Sequence, residues 1–72
     1  MYAVSFYANG EIQGATFSCP VFSREYFEKQ RDLNYPCALL QKNDEGVGAT
    51  AIAKHRYEDL LRAFSLLGKL SR

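Results

Sequence analysis

The sequence predicts an α+β domain of element order ββαββα, in which a four-stranded antiparallel sheet carries both helices packed on one face. Three observations carry this prediction. Two stretches of alternating apolar residues fold back at Asn/Asp/Gly turns, a helical apolar period follows each of them, and the two halves echo one another. With 72 residues the chain has room for one domain, 1–72, because a chain this short buries only roughly 60% of its unfolded surface.

Tyr2, Val4, Phe6 and Ala8 alternate with Ala3, Ser5 and Tyr7 as far as Asn9-Gly10, a dipeptide suited to the left-handed positions of a tight hairpin turn. Glu11 to Ser18 returns as a second strand through Ile12, Ala15, Thr16 and Phe17, with Gly14 marking a bulge or a close backbone approach. Cys19-Pro20-Val21 interrupts the pattern, since Pro20 cannot donate to a ladder. Ser23 then suits an N-cap, Glu25 the first turn, and Phe22 with Phe27 a hydrophobic staple, which starts the first helix at Arg24. Asn34 tolerates the left-handed stop and Tyr35-Pro36 prevents continuation.

Cys37 to Lys42 is extended, Asn43-Asp44-Glu45-Gly46 is a turn cluster, and Val47 to Ala53 resumes with small and β-branched residues. From His55 onward the period is helical. Tyr57, Leu60, Leu61, Phe64 and Leu67 fall on one stripe, widened by Ala63, Leu66 and Leu70, and Leu61 and Phe64 are expected in the core. Glu58 and Asp59 suit the N-terminal turn of that helix, and Gly68, Lys69 and Arg72 its C-terminal end.

The echo sets Asn9-Gly10-Glu11-Ile12-Gln13-Gly14-Ala15-Thr16 against Asn43-Asp44-Glu45-Gly46-Val47-Gly48-Ala49-Thr50, with five identities in eight at an offset of 34. Either it marks an internal ββα duplication, with repeat units 1–34 and 35–72, or both turns draw on the same residues for their positive-φ positions. A duplication suggests a pseudo-twofold axis and leaves the sheet face opposite the helices uncovered. A β-grasp-like arrangement, with the first and third strands parallel beneath a crossing helix, fits the same order of elements.

A net charge of +1, with 47% hydrophobic and 24% charged residues, describes a folded globular chain with no strong field toward nucleic acid or an anionic membrane. No apolar run approaches the roughly 20 residues of a membrane span, and the alternating start at Met1 lacks the pattern of an export signal. Cys19 and Cys37 are therefore expected as thiols in a cytoplasmic protein. The Cys19, Cys37 and His55 spacing contains no paired ligand motif, which argues against zinc, and Gly10, Gly14, Gly46 and Gly48 form no phosphate loop, so no cofactor is expected.

A thiol enzyme would need Cys19 or Cys37 beside His55, oriented by Asp59, and no spacing supports that beyond the residues being present. Glu11, Asp44 and Glu45 would act as paired carboxylates only if the two turns met in space. Charge is uneven along the chain: residues 54–72 carry +3 and residues 1–53 carry −2. Arg56, Arg62 and Lys69 make the second helix the basic end, and alternation sends Tyr7, with Tyr35, to the face away from the helices. Tyr and Arg anchor many protein contacts because they bury much area and keep a polar tip.

These five residues, Tyr7, Tyr35, Arg56, Arg62 and Lys69, are the candidate partner-binding set. The expectation is a non-enzymatic protein-binding module that acts stoichiometrically on a partner protein's surface and pairs with itself through the bare sheet face as a homodimer. Size and the lack of a catalytic set suit an inhibitor used by a phage or mobile element against a host defence such as CRISPR or restriction. The alternative is a small nucleic-acid-binding or regulatory protein using the basic C-terminal helix.

Overall fold

The computed structural model describes residues 1–43 and 48–70, the last four by their backbone alone. The order is β1 (Tyr2–Ala8), β2 (Glu11–Phe17), α1 (Pro20–Asp32), β3 (Cys37–Lys42), β4 (Ala49–His55) and α2 (Tyr57–Leu70). The strands form one antiparallel sheet in the order β2-β1-β3-β4, so the expected ββαββα architecture stands. β1 runs antiparallel to β3, which excludes the β-grasp-like alternative.

Asn9 and Gly10 both take positive φ, 55° and 81°, and join β1 to β2 in a two-residue turn. The β1–β2 register is unbroken, so Gly14 marks a close approach rather than a bulge: a Cβ there would lie 3.1 Å from the Val4 carbonyl oxygen. The sheet's irregularity lies between β3 and β4, opposite Leu39 and Leu40. Asn43 donates to the Gly48 carbonyl across the second turn, while Asp44 to Val47 lie outside the described residues. The two turns cap opposite ends of the sheet, which keeps Glu11 away from the second one.

α1 starts four residues earlier than its polar pattern predicts. Pro20 occupies the first turn, where its missing N–H costs nothing, and Cys19 is the N-cap without a side-chain bond. Ser23 is therefore inside the helix and fully buried, its hydroxyl donating back to the Pro20 carbonyl at 2.8 Å. The staple does not form, since Phe27 is buried while Phe22 faces solvent. The C-terminus matches expectation: Asn34 takes φ 62°, its N–H reaches the Arg31 carbonyl, and the Tyr35 N–H reaches that of Gln30.

Directly paired residues on neighbouring strands share a face, so the register sorts the sheet's side chains. Tyr2, Val4, Phe6 and Ala8 of β1 share one face with Phe17, Cys37, Leu39 and Ala53. These residues pack with Phe27, Tyr26 and Tyr35 into the main core under α1. Tyr26 joins Phe6 and Phe17 there, with ring centroids 5.9 Å and 5.3 Å away.

Ala3, Ser5, Tyr7, Ala38 and Leu40 point to the other face. Ala38 is only 1% exposed, so that face is covered at β3. Leu60 and Ala63 of α2 are buried at 1% and 6% yet stand apart from the α1-side core, and α2 packs against β3, β1 and β2. The sheet thus carries one helix on each face instead of two on one. The small side chains of Ala3, Ser5 and Ala38 allow this close approach, so α2 occupies the face expected to be uncovered. Residues 34 apart, such as Val4 and Ala38 or Thr16 and Thr50, point to opposite faces, so the echo is not expressed as a twofold axis through the sheet.

Along α2 the core line also differs from expectation. Leu60 and Ala63 take the burial, while Leu61 and Phe64 remain 47% and 46% exposed. Leu60→Ala should therefore cost about 2–5 kcal/mol, and Leu61→Ala well under half of that, as read from urea unfolding midpoints. Equal losses would place Leu61 in the core.

Candidate functional site

Among the described residues the polar chemistry gathers where α1 ends and β4 turns into α2. His55, expected to begin the second helix, is the last residue of β4, and Arg56 makes the corner at φ 50°. That turn brings both side chains to Asn34. His55 Nε2 lies 3.0 Å from Asn34 Oδ1, and Arg56 donates to the Asn34 carbonyl at 2.8 Å. Arg56 Nε also donates to Asp59 at 3.0 Å, and Arg62 approaches the same carboxylate at 3.5 Å. All of these groups are solvent-exposed, so each pair contributes only about 0–1 kcal/mol.

This arrangement reduces the basic character expected of α2. Asp59 partly neutralises Arg56 and Arg62 together, and Lys54 places its ammonium 4.8 Å from the Tyr57 ring centroid. The Lys69 side chain lies outside the described residues. Tyr7 and Tyr35 do not share a face: Tyr7 is half-buried on the α2 side, and Tyr35 packs into the α1 core with its ring stacked 6.3 Å from Phe6. Neither is the freely exposed tyrosine that alternation suggested. Of the four candidate residues whose side chains are described, Arg56 and Arg62 meet at one carboxylate, that of Asp59.

The feature that helical periodicity concealed is an apolar stripe. Leu61 and Phe64 follow Tyr57 at helical spacing beside the buried Leu60–Ala63 line, and Leu66 is 55% exposed on another side of the helix. A stripe of Leu and Phe reads in sequence as core, and only the width of the covered face shows that part of it is surplus. Val21 and Phe22 in the first turn of α1 and Leu33 at its C-cap are exposed as well, at opposite ends of that helix. The groove beside α1, lined by Pro20, Val21, Arg24, Glu25 and Glu28, is open and formed by that helix alone.

The thiol constellation assembles in part. Cys37 and His55 are direct partners across β3 and β4, but Cys37 is fully buried and His55 is engaged with Asn34. Burial raises the Cys37 pKa above the ordinary thiol value, and the Arg31 charge offsets this only in part, so the group stays a protonated thiol at neutral pH. Among the described residues no cluster of three His, Cys, Asp or Glu side chains could hold a metal ion. No helix among them is long and apolar enough to cross a membrane.

Because the folded pKa of Cys37 is raised, the unfolded chain loses this proton first. The contribution is complete below the unfolded value near 9 and declines as pH rises through it toward the folded one. Urea midpoints should fall in that alkaline range, and Cys37→Ala should show a smaller fall. In the native protein a thiol reagent should modify half-buried Cys19 readily and reach Cys37 only on unfolding; fast reaction of both would show Cys37 to be accessible. The chain matches no protein-family model, no curated protein and no solved structure.

Proposed function

We propose that the protein is a small non-enzymatic binding module that acts by occupying the surface of a partner protein stoichiometrically, with α2 as its contact element. The observation that carries this reading is the exposure of Leu61 and Phe64, neighbours on a helix whose core line is already supplied by Leu60 and Ala63. Exposed apolar side chains cost solubility, and a helix presenting them at this spacing suits a groove on another protein. Arg56 and Arg62 pair with Asp59 along a different side of the helix, so the charged line and the apolar stripe are separate surfaces of α2. Inhibition of a host defence such as a CRISPR or restriction system, on behalf of a phage or mobile element, is the role that fits this size and mode of action.

The test is capture from host lysate on immobilised protein, with and without nuclease, beside a Leu61→Glu/Phe64→Glu variant. The expected result is one protein retained in stoichiometric amount after nuclease and lost with the double variant, whose circular dichroism is unchanged. Capture abolished by nuclease and falling steeply with salt would instead assign binding to nucleic acid and the Arg56–Arg62 side. Capture unaffected by the double variant would remove α2 from the interface.

A further inference from the structure

The edges of the sheet are not equivalent, and their backbone polarity follows from two hydrogen bonds. The Tyr7 N–H donates to the Pro36 carbonyl at 2.9 Å, and the Lys42 N–H donates to the Met1 carbonyl at 2.9 Å. Odd-numbered residues of β1 therefore turn their backbone groups toward β3, and even-numbered ones toward β2. On β2, Gln13 and Ala15 face Phe6 and Val4 and bond inward, whereas Ile12, Gly14 and Thr16 face Tyr7, Ser5 and Ala3 and direct N–H and C=O away from the sheet.

This outward row carries few of the devices that usually block an edge. β2 contains no Pro and no Lys or Arg, its register is continuous, and its one charge, Glu11, stands at the first position. The other edge is protected: β4 is bulged opposite Leu39 and Leu40 and carries exposed Lys54.

We infer that β2 pairs antiparallel with β2 of a second copy about a twofold axis at Gly14, joining the two sheets edge to edge. That register is the one that uses every outward group. Gly14 meets Gly14 of the second copy, and Ile12 meets its Thr16, a β-branched pair of a kind that stabilises neighbouring strands. Gln13 then opposes Ala15, and Glu11 opposes Phe17. The two Glu11 carboxylates are held roughly 20 Å apart, at about 3.4 Å of rise per residue, so the contact places no like charges together. Because the β4 edges are blocked, the assembly closes as a dimer and does not grow into a fibre. This inference is independent of the α2 reading, which concerns a different surface.

Sedimentation velocity and amide exchange of the full chain test it together. The expected result is a species of twice the chain mass that dissociates on dilution, with the Ile12, Gly14 and Thr16 amides slowing in exchange as concentration rises. Thr16→Pro removes an outward N–H without touching the β1–β2 ladder and should yield a folded monomer by circular dichroism. Ile52→Lys on β4 should leave the dimer intact. A chain that stays monomeric at high concentration overturns the inference, as does a dimer that survives Thr16→Pro. If that variant fails to fold, the exchange of the three amides in the unaltered protein decides, and rates independent of concentration refute the pairing.

Discussion

The antiparallel pairing of β1 with β3 is the constraint on which the remaining architecture rests. It joins two hairpins that are each marginal alone, since an isolated two-stranded ribbon has too little apolar area to persist in water. It also makes β1 and β3 interior strands whose two faces must both be buried. Its register, with Phe6 opposite Cys37 and Val4 opposite Leu39, gathers the main core on one face and sets Ala3, Ser5 and Ala38 on the other, between Tyr7 and Leu40. The face with bulk receives α1 through Phe27 and Tyr26. The face with small residues admits α2 closely through Leu60 and Ala63.

Much of this was legible from local chemistry. The Asn9-Gly10 turn, the alternation of β1 and the stop at Asn34 are properties of a few neighbouring residues, and they match the structure. Pro20 shows where a local reading went astray. Its lack of a donor interrupts a strand, whereas at the first helical turn the same lack costs nothing. The helix consequently starts at Pro20 and not at Arg24, and Ser23 is a core residue and not a cap.

Which face each helix takes depends on strand parity, and parity is set by the register between β1 and β3. Even-numbered residues of β1 stand opposite odd-numbered residues of β3, as Val4 does opposite Leu39, and both hairpins exchange parity in the same way from Ala3 to Thr16 and from Gln41 to Thr50. An even offset of 34 between the two echo segments therefore reverses the facing of equivalent side chains. The likeness at the level of residues is real, but it does not become a likeness of packing. The candidate site suffered in the same way. Arg56 and Arg62 were found from charge, but the acceptors at Asn34 and Asp59 that restrain them come together only in three dimensions. Leu61 and Phe64 could not be distinguished from Leu60 by period, because a helix that is apolar over a wide arc does not state how much of that arc its neighbour covers.

The corner at Asn34 also bears on how the domain tolerates sequence change. Arg56 holds a left-handed backbone conformation that costs about 1–3 kcal/mol for a residue with a side chain, and its guanidinium is tied to a main-chain carbonyl at residue 34. A main-chain acceptor survives substitution at its own position, so one end of the tie is indifferent to the identity of residue 34 while the other depends wholly on arginine. Drift should therefore fall unevenly on the two sides of this joint. The exit of α1 can vary in side chain as long as its left-handed turn persists, whereas position 56 is held between glycine, which relieves the backbone, and arginine, which clasps the two halves of the chain together.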